Sequence, residues 1–334
     1  MKIIVTGGMG FIGSNFCRHI LNKYKNYKIY NLDKLSYAGN IDNLKDVEKN
    51  PNYKFYKIDI CDYKKLENVI KKICPDSIIN FAAETHVDRS IIDPQMFIKT
   101  DILGTFNILE LSRIYKIPRI IHISTDEVYG SKKSGVFTEN DKLAPTSPYS
   151  ASKASADLLV SSYVKTYKLP AIIVRPTNNY GPYQFPEKLI PLMITNAFED
   201  RNLPVYGKGK NVRDWLYVLD TVCAIDIILH KGKLGEIYNI SSKNELQNIV
   251  VVKKILKLLN KPKVLIKFVK DRLAHDLRYS VESSKIYSLG FVPKYNFDSG
   301  IKSTVDWYLN NISWWKKIKT KKEFKDFYKK QYKY

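Results

Sequence analysis

The 334-residue sequence has few cysteines, and none of them are paired by spacing. Cys17, Cys61, Cys74 and Cys223 are scattered, with no CxxC. That pattern argues against a disulfide framework or a zinc site, so no metal is expected, and it fits a reducing compartment. No stretch is apolar for long enough to cross a bilayer. The opening residues Met1–Thr6 run straight into glycines, without the apolar core and small-residue cleavage site of a secretory leader. A soluble, cytoplasmic protein with no membrane partner is therefore expected. Acidic residues are also scarce: 55 Lys and Arg face 33 Asp and Glu, a net charge of +22. Such a balance could attract nucleic acid, but no recognition motif accompanies it, and no nucleic-acid partner is expected. A general lysine bias, or the positive potential that diphosphate ligands need, accounts for it as well. Much of the excess lies in a basic C-terminal tail, residues 316–334, read as a solvated helix or a frayed end.

What is present fits a folded enzyme. Hydrophobic residues make up 44% of the chain and aromatics 13%, enough for a substantial core. In the first half, β-branched runs alternate with amphipathic stretches. Strands are expected at 2–6, 28–32, 54–58, 77–81, 119–123 and 171–175. Helices are expected at 11–25, 63–73, 97–115 and 150–167. This alternation implies an α/β fold, a Rossmann-type doubly wound parallel sheet covered on both faces. The pattern breaks after Arg175-Pro176. A loop rich in Asn, Gly and Pro follows, then helices around 188–199 and 250–259. The expected division is a Rossmann domain over 1–177, with a return segment near 215–242, and a smaller C-terminal substrate-binding lobe over 178–315.

Thr6-Gly7-Gly8-Met9-Gly10-Phe11-Ile12-Gly13 lies between the first strand and the first helix. Gly8, Gly10 and Gly13 match GxGxxG, and Gly7, Gly10 and Gly13 match GxxGxxG. Such glycines permit a tight turn, close approach of a pyrophosphate and close helix–strand packing, although a plain turn also uses them. Asp33 stands 20 residues after Gly13, where a carboxylate accepts from ribose hydroxyls and repels a 2′-phosphate, so NAD is expected rather than NADP. Asp59 follows the third strand and can reach an adenine amine. Phe81-Ala82-Ala83 ends the fourth with small residues.

Tyr149 and Lys153 form a YxxxK pair on one face of a helix. A neighbouring lysine cation and the nicotinamide's positive charge are expected to favour the phenolate, making Tyr149 a base, while Lys153 can also hold the nicotinamide ribose. Thr125-Asp126-Glu127 closes the fifth strand. Adjacent acids at the C-terminal end of a parallel strand face the ligand crevice and suggest proton transfers beyond simple hydride exchange.

Thr125-Asp126-Glu127 with Tyr149 and Lys153 resembles the active site of the nucleotide-sugar 4,6-dehydratases. The resemblance runs from Met1 to about Trp315. It is also carried by Asp33-Lys34-Leu35-Ser36-Tyr37-Ala38-Gly39-Asn40, by Ala83-Glu84-Thr85-His86-Val87-Asp88-Arg89-Ser90, by residues 178–191 and by Arg213-Asp214-Trp215-Leu216. It implies that UDP-glucose or dTDP-glucose is converted to the 4-keto-6-deoxy sugar and water, feeding rhamnose or other deoxysugar synthesis, with NAD tightly bound and regenerated. In that scheme Tyr149 takes the C4 hydroxyl proton, Glu127 the C5 proton, Asp126 protonates the departing C6 hydroxyl, and Thr125 polarises the C4 oxygen. The resemblance also places Gly7, Gly10, Phe11, Ile12, Gly13, Lys34, Ser36, Ile60, Phe81, Ala82, Ala83, Thr100 and Asn179 at the cofactor. It puts Thr85 and Asn178 on the hexose. Lys188, Leu189, Pro204, Tyr206, Arg213, Asn248, Arg272, Arg278 and Tyr279 fall on the nucleotide diphosphate, although Arg213 and Arg278 could be structural. Family members usually dimerise through the YxxxK helix and the one before it, so a homodimer is expected.

The sequence departs from the family's dTDP-glucose pattern in several places. Asn80 replaces His, Asp101 replaces Asn, Leu219 and Thr221 replace Glu and His, and Ala274-His275-Asp276 replaces Gly-His-Asp. Asn80-Phe81-Ala82-Ala83, Leu229-His230-Lys231-Gly232 and Tyr238-Asn239-Ile240 look more like UDP-glucose enzymes, which tips the expected nucleotide toward UDP. A UDP-sugar 4-epimerase or a UDP-glucuronate decarboxylase is the alternative, and neither needs the Asp126–Glu127 pair. A silent NAD-sensing scaffold is disfavoured by the intact residues.

Overall fold

The computed structural model describes residues 1–332. In chain order, β1 (Lys2–Thr6) leads into α1 (Phe11–Lys23), β2 (Lys28–Asp33), β3 (Tyr53–Lys57), α2 (Tyr63–Ile73) and β4 (Ser77–Asn80). After α3 (Val87–Ile92), one helix runs in three parts: α4 (Gln95–Phe97), a π-helical turn (Ile98–Leu103) and α5 (Gly104–Ile114). β5 (Ile120–Ile123), α6 (Pro148–Tyr167) and β6 (Ala171–Pro176) complete the first half. Then come β7 (Asn178–Tyr180), α7 (Leu189–Phe198), β8 (Leu203–Tyr206), β9 (Val212–Tyr217), α8 (Val218–Lys231) and β10 (Ile237–Ile240). The chain continues through β11 (Glu245–Gln247), α9 (Asn248–Leu258), β12 (Ile266–Val269), α10 (Ser284–Tyr287), α11 (Phe297–Asn310), α12 (Ile312–Lys319) and α13 (Lys322–Gln331).

The large sheet has the order β10-β6-β5-β4-β1-β2-β3, every pair parallel. Every residue of β4, β5 and β6 is buried, which is why these strands read as unbroken apolar runs instead of alternating ones. One face packs on α1 and α8 through Phe16, Ile20, Val222, Ile225 and Ile228. The other packs on α2, α5 and α6 through Leu66, Ile70, Ile108, Leu111 and Val160. Strand order reverses between β1 and β4, and the crevice outside their carboxyl ends is where ligands bind in such sheets.

The remaining segments form a lobe above that crevice. It holds a three-stranded sheet, β11-β9-β7, a parallel pair, β12-β8, and a separate core around Tyr180, Trp215, Tyr308 and Trp315. The basic tail is not a solvated end. Trp315 and Phe324 are buried, Tyr332 joins the lobe core, and the Lys319 ammonium is held by Thr195, Asn196 and Glu199. Aromatic residues interleaved with the lysines pin α12 and α13 to the lobe. Residues 333 and 334 of the expected tail lie outside the described residues. Among the described residues no helix is long and apolar enough to cross a membrane.

Candidate active site

The glycine loop joins β1 to α1 at the strand-order reversal. Gly7 has φ +69°, and a Cβ there would fall 2.6 Å from the Ala82 nitrogen. A Cβ on Gly13 would fall 2.4 Å from the Gly7 carbonyl oxygen. Both positions therefore exclude a side chain, and the backbone stays open to a ligand. Gly10 caps α1 with no side-chain bond and no acidic residue occupies the first turn, so the helix's free N–H groups and positive dipole end face the cleft. The Asp33 carboxylate closes the loop, accepting from the Met9 N–H at 3.0 Å and the Leu35 N–H at 2.8 Å.

A cleft runs from the glycine loop past Asp33 and Asp59 to Tyr149 and Lys153. Every residue expected at the cofactor lines it except Asn179. Asn179 instead receives the Thr221 hydroxyl, donates to the Thr177 carbonyl at 2.8 Å and accepts Gln184 Nε2 on its own carbonyl at 2.8 Å. It therefore positions Gln184, which does line the cleft. Ala38, Gly39, Ser124, Gln184 and Phe185 also line it and were not singled out. All but Ser124 fall inside the sequence phrases that carried the resemblance, and Ser124 adjoins Thr125. The cradle and its lining fit a dinucleotide.

β5 delivers Thr125, which caps a 3-10 turn over Asp126–Tyr129 by accepting the Glu127 N–H at 3.3 Å. Thr125 Oγ1 in turn donates to Asp126 Oδ1 at 3.2 Å. Asp126 is 2% exposed, and its Oδ2 is buried without a partner. Burial and the neighbouring Glu127 push its carboxyl well above the usual range, with Arg213 opposing. Glu127 is only half-buried. The two adjacent acids thus sit in unequal surroundings, the usual way to separate an acid from a base.

α6 starts on a Ser147–Ser150 capping box with Pro148 in its first turn, and brings Tyr149 and Lys153 to the same place. Lys153 donates to the Ile123 carbonyl at 2.7 Å, tying α6 to the end of β5. Burial, Glu127, Asp101 and Asp126 all push the Tyr149 phenol well upward, and only the Thr125 hydroxyl opposes them. The Lys153 ammonium is itself lowered by burial, with Asp101 and Asp157 supporting its charge. In the protein alone, Tyr149 keeps its proton.

The residues expected on the substrate divide into three groups. Thr85 and Lys188 line the cleft, with the Lys188 ammonium on the Thr85 carbonyl. Glu187, beside Lys188, is gripped at both oxygens by Arg89 at 3.0 Å. A second group has polar capacity turned inward. Asn178 Oδ1, Asn248 Oδ1 and Arg272 Nε are buried without a protein partner, as a ligand-binding position requires. Tyr206 donates to Asp88 at 3.3 Å, and Arg272 lies 4.0 Å from the same carboxylate. Arg213 sits 4.2 Å over the Tyr279 ring, with its guanidinium on the Val212 and Asp276 carbonyls. The Tyr279 hydroxyl donates to Asp276 at 2.7 Å.

The third group is structural. Arg278 is committed to Glu245 by a two-pronged pair at 2.7 and 2.8 Å and to the Gly135 carbonyl at 2.7 Å, which leaves it no free donor fork for a phosphate. Pro204 is buried in β8 opposite Lys267, and Leu189 packs against the lobe core.

The departures that favoured UDP are spent inside the fold. Asn80 accepts from Thr6 at 2.6 Å and lies 3.2 Å from His122 within the sheet core. His230 pairs with Asp226 and Tyr27, and Asn239 accepts from Tyr129. None of these side chains reaches the cleft.

Comparison with known proteins followed the same lines. The sequence profile described as GDP-mannose 4,6 dehydratase matches residues 4–304. A dTDP-glucose 4,6-dehydratase of Neisseria meningitidis serogroup B is 49% identical, covering 95% of this chain and 96% of the relative. The solved dTDP-glucose 4,6-dehydratase of Bacillus anthracis, in complex with NAD, superposes with a TM-score of 0.90 at 50% identity, over 95% of this chain and 99% of that one. A UDP-glucose 4-epimerase of Thermus thermophilus in complex with NAD shares the fold more distantly, with a TM-score of 0.87 at 26% identity, over 93% of this chain and 100% of that one. The preference for UDP finds no support here, since the relatives at 49% and 50% identity are dTDP-glucose 4,6-dehydratases.

Proposed function

The chain belongs to the GDP-mannose 4,6 dehydratase family, and we propose that within it the protein is an NAD-dependent dTDP-glucose 4,6-dehydratase. It removes water across C5 and C6 of the sugar and releases dTDP-4-keto-6-deoxyglucose for rhamnose or other deoxysugar synthesis. The observation that carries this reading is the Asp126–Glu127 pair at the end of β5, one acid buried with its carboxyl pushed upward, the other half-buried, both acting on the Tyr149 phenol. An epimerase or decarboxylase has no use for that pair.

Gly7, Gly10 and Gly13 receive the NAD pyrophosphate, Asp33 the adenosine ribose and Lys153 the nicotinamide ribose. When bound, NAD supplies the hydride acceptor for C4 and the hydride donor for C6. The protein's groups handle the protons. Tyr149 takes the C4 hydroxyl proton, and the positive nicotinamide offsets the carboxylates that hold the phenol up. Thr125 donates to the C4 oxygen, and the resulting ketone acidifies C5. Glu127 removes the C5 proton, and a proton returns to C5 when hydride is delivered to C6. Asp126 already carries the proton that the departing C6 hydroxyl needs. Thr85 and Asn178 orient the hexose, while Lys188, Tyr206, Arg213, Asn248, Arg272 and Tyr279 hold the nucleotide diphosphate.

Two further readings go with this one. The protein acts as a homodimer through α5 and α6, which expose Phe106, Ile114 and Leu158. It works in the cytoplasm, in keeping with its four free thiols. Incubation of the purified protein with NAD and dTDP-glucose should give a product lighter by one water. An epimer of unchanged mass would defeat the reading.

A further inference from the structure

Asp101 is a buried carboxylate beside the Tyr149–Lys153 pair that the reaction above does not use. Asp101 lies on the π-helical turn Ile98–Leu103 and is 1% exposed. Its Oδ1 accepts the Glu84 N–H at 2.8 Å, and its Oδ2 accepts the Ser152 hydroxyl at 2.6 Å. Glu84 is in the loop after β4, which also carries Thr85, and Ser152 immediately precedes Lys153 on α6. A π turn carries one extra residue and re-aims the side chains around it. Here it sends a carboxylate between two walls of the site.

We propose that Asp101 is a positioning residue for catalysis: it clamps the helix bearing Tyr149 and Lys153 onto the loop after β4 and sets one buried negative charge against that pair. The inference rests on the reading of Tyr149 and Lys153 as the catalytic pair. The charged groups around Asp101 come from three sides. α6 presents Lys153 and Tyr149, with Asp157 also acting on Lys153. The loop after β4 presents Glu84, itself paired with Lys34 at 3.1 Å. The turn after β5 presents Asp126 and Glu127, which act on the same phenol. Burial raises the Asp101 carboxyl to about 6, against the pull of Lys153 and Ser152. In return the Asp101 charge opposes proton loss from both Tyr149 and Lys153. A single charge thus acts on both proton-transfer groups in the same direction.

Asparagine separates charge from geometry. In Asp101→Asn the amide oxygen can keep the Glu84 N–H, and the amide nitrogen can donate to Ser152 Oγ. The Ser152 proton then turns to the Tyr149 carbonyl, already 2.8 Å away. The ties survive and the charge goes. With NAD and dTDP-glucose, both limbs of the kcat/KM pH profile of Asp101→Asn should move down by about one pH unit relative to wild type. Ser152→Ala, which breaks a tie but leaves the charge, should lower the rate without moving the limbs.

Thermal unfolding gives a readout that needs no activity. A carboxyl raised from about 3.9 unfolded to about 6 folded binds extra protons in the native state between those values. Its contribution to stability is therefore lost as pH rises through that window. Asp101→Asn lacks this loss, so its Tm relative to wild type should rise by a few degrees from pH 4 to pH 7. Superimposed pH profiles for wild type and Asp101→Asn, equal displacement in Ser152→Ala, or a Tm difference independent of pH would each overturn the proposal. Asp101→Ser, also uncharged, repeats both measurements should the asparagine variant fail to fold. A wild type that leaves dTDP-glucose intact defeats the functional reading, and the unfolding arm still decides this one.

Discussion

At the residue scale, Asp126 and Glu127 are neighbours in sequence with opposite assignments. Burial and the adjacent acid push the Asp126 carboxyl upward, while Glu127 is half-buried. Glu127→Gln should stop elimination and still allow oxidation at C4, lowering turnover by roughly 10²–10⁴. Single-turnover absorbance should show reduced cofactor accumulating with no water lost. Equal loss of both steps would contradict the base assignment. At the cofactor, Gly7→Ala puts a Cβ 2.6 Å from the Ala82 backbone at a φ of +69°. Purified Gly7→Ala should retain little NAD and melt earlier than wild type, and undiminished NAD content would show that the loop has more room than the structure gives it. The glycines and Asp33 were legible because each performs a backbone or hydrogen-bonding task that few residue types can do. The state of Tyr149 was not, because it depends on Asp101 and Glu127, which approach it only in the folded chain. The pairing of Arg278 with Glu245 was hidden for the same reason, since the two lie 33 residues apart.

At the element scale, α6 carries both members of the YxxxK pair, so its first turn bears on catalysis as well as stability. Ser147 accepts the Ser150 N–H at 3.1 Å, and Ser150 accepts the Ser147 N–H at 3.0 Å. Ser147→Ala should cost about 1 kcal/mol in denaturant unfolding and reduce kcat through fraying beside Tyr149. Unchanged stability would mean that Pro148 and tertiary packing alone fix the helix start. The six strands expected in the first half appear within a residue or so, because buried parallel strands are unbroken β-branched runs. The lobe strands β7 and β11 span three residues each, too short for any period to emerge. The π turn carries no periodic signal either. Helical periodicity covers 97–115 as a whole, and only the structure shows where the register shifts.

For the whole molecule, composition alone would have been misleading. The excess of lysine drew attention to residues 316–334 as a free tail, yet α12 and α13 close the lobe through Trp315, Phe324 and Tyr332. Some of the exposed apolar residues, Phe106, Ile114, Leu158 and Tyr167, lie elsewhere, on α5 and α6. Phe106→Glu with Leu158→Glu should convert a dimer to a monomer in light scattering while leaving the cleft intact. A wild type already monomeric at micromolar concentration would remove the dimer from the account. The double-wound sheet and the cofactor side of the cleft followed from the order of strands and motifs. The nucleotide end did not, since its residues come from β8, β9, α9 and the segment around Arg272, which meet only through lobe packing.

The most direct test sets dTDP-glucose beside UDP-glucose, each with NAD and the wild-type protein, with products read by mass. The account predicts loss of one water from dTDP-glucose, at a higher kcat/KM than from UDP-glucose. Faster dehydration of UDP-glucose would overturn the nucleotide assignment, and an epimer of unchanged mass from either sugar would contradict the dehydratase itself.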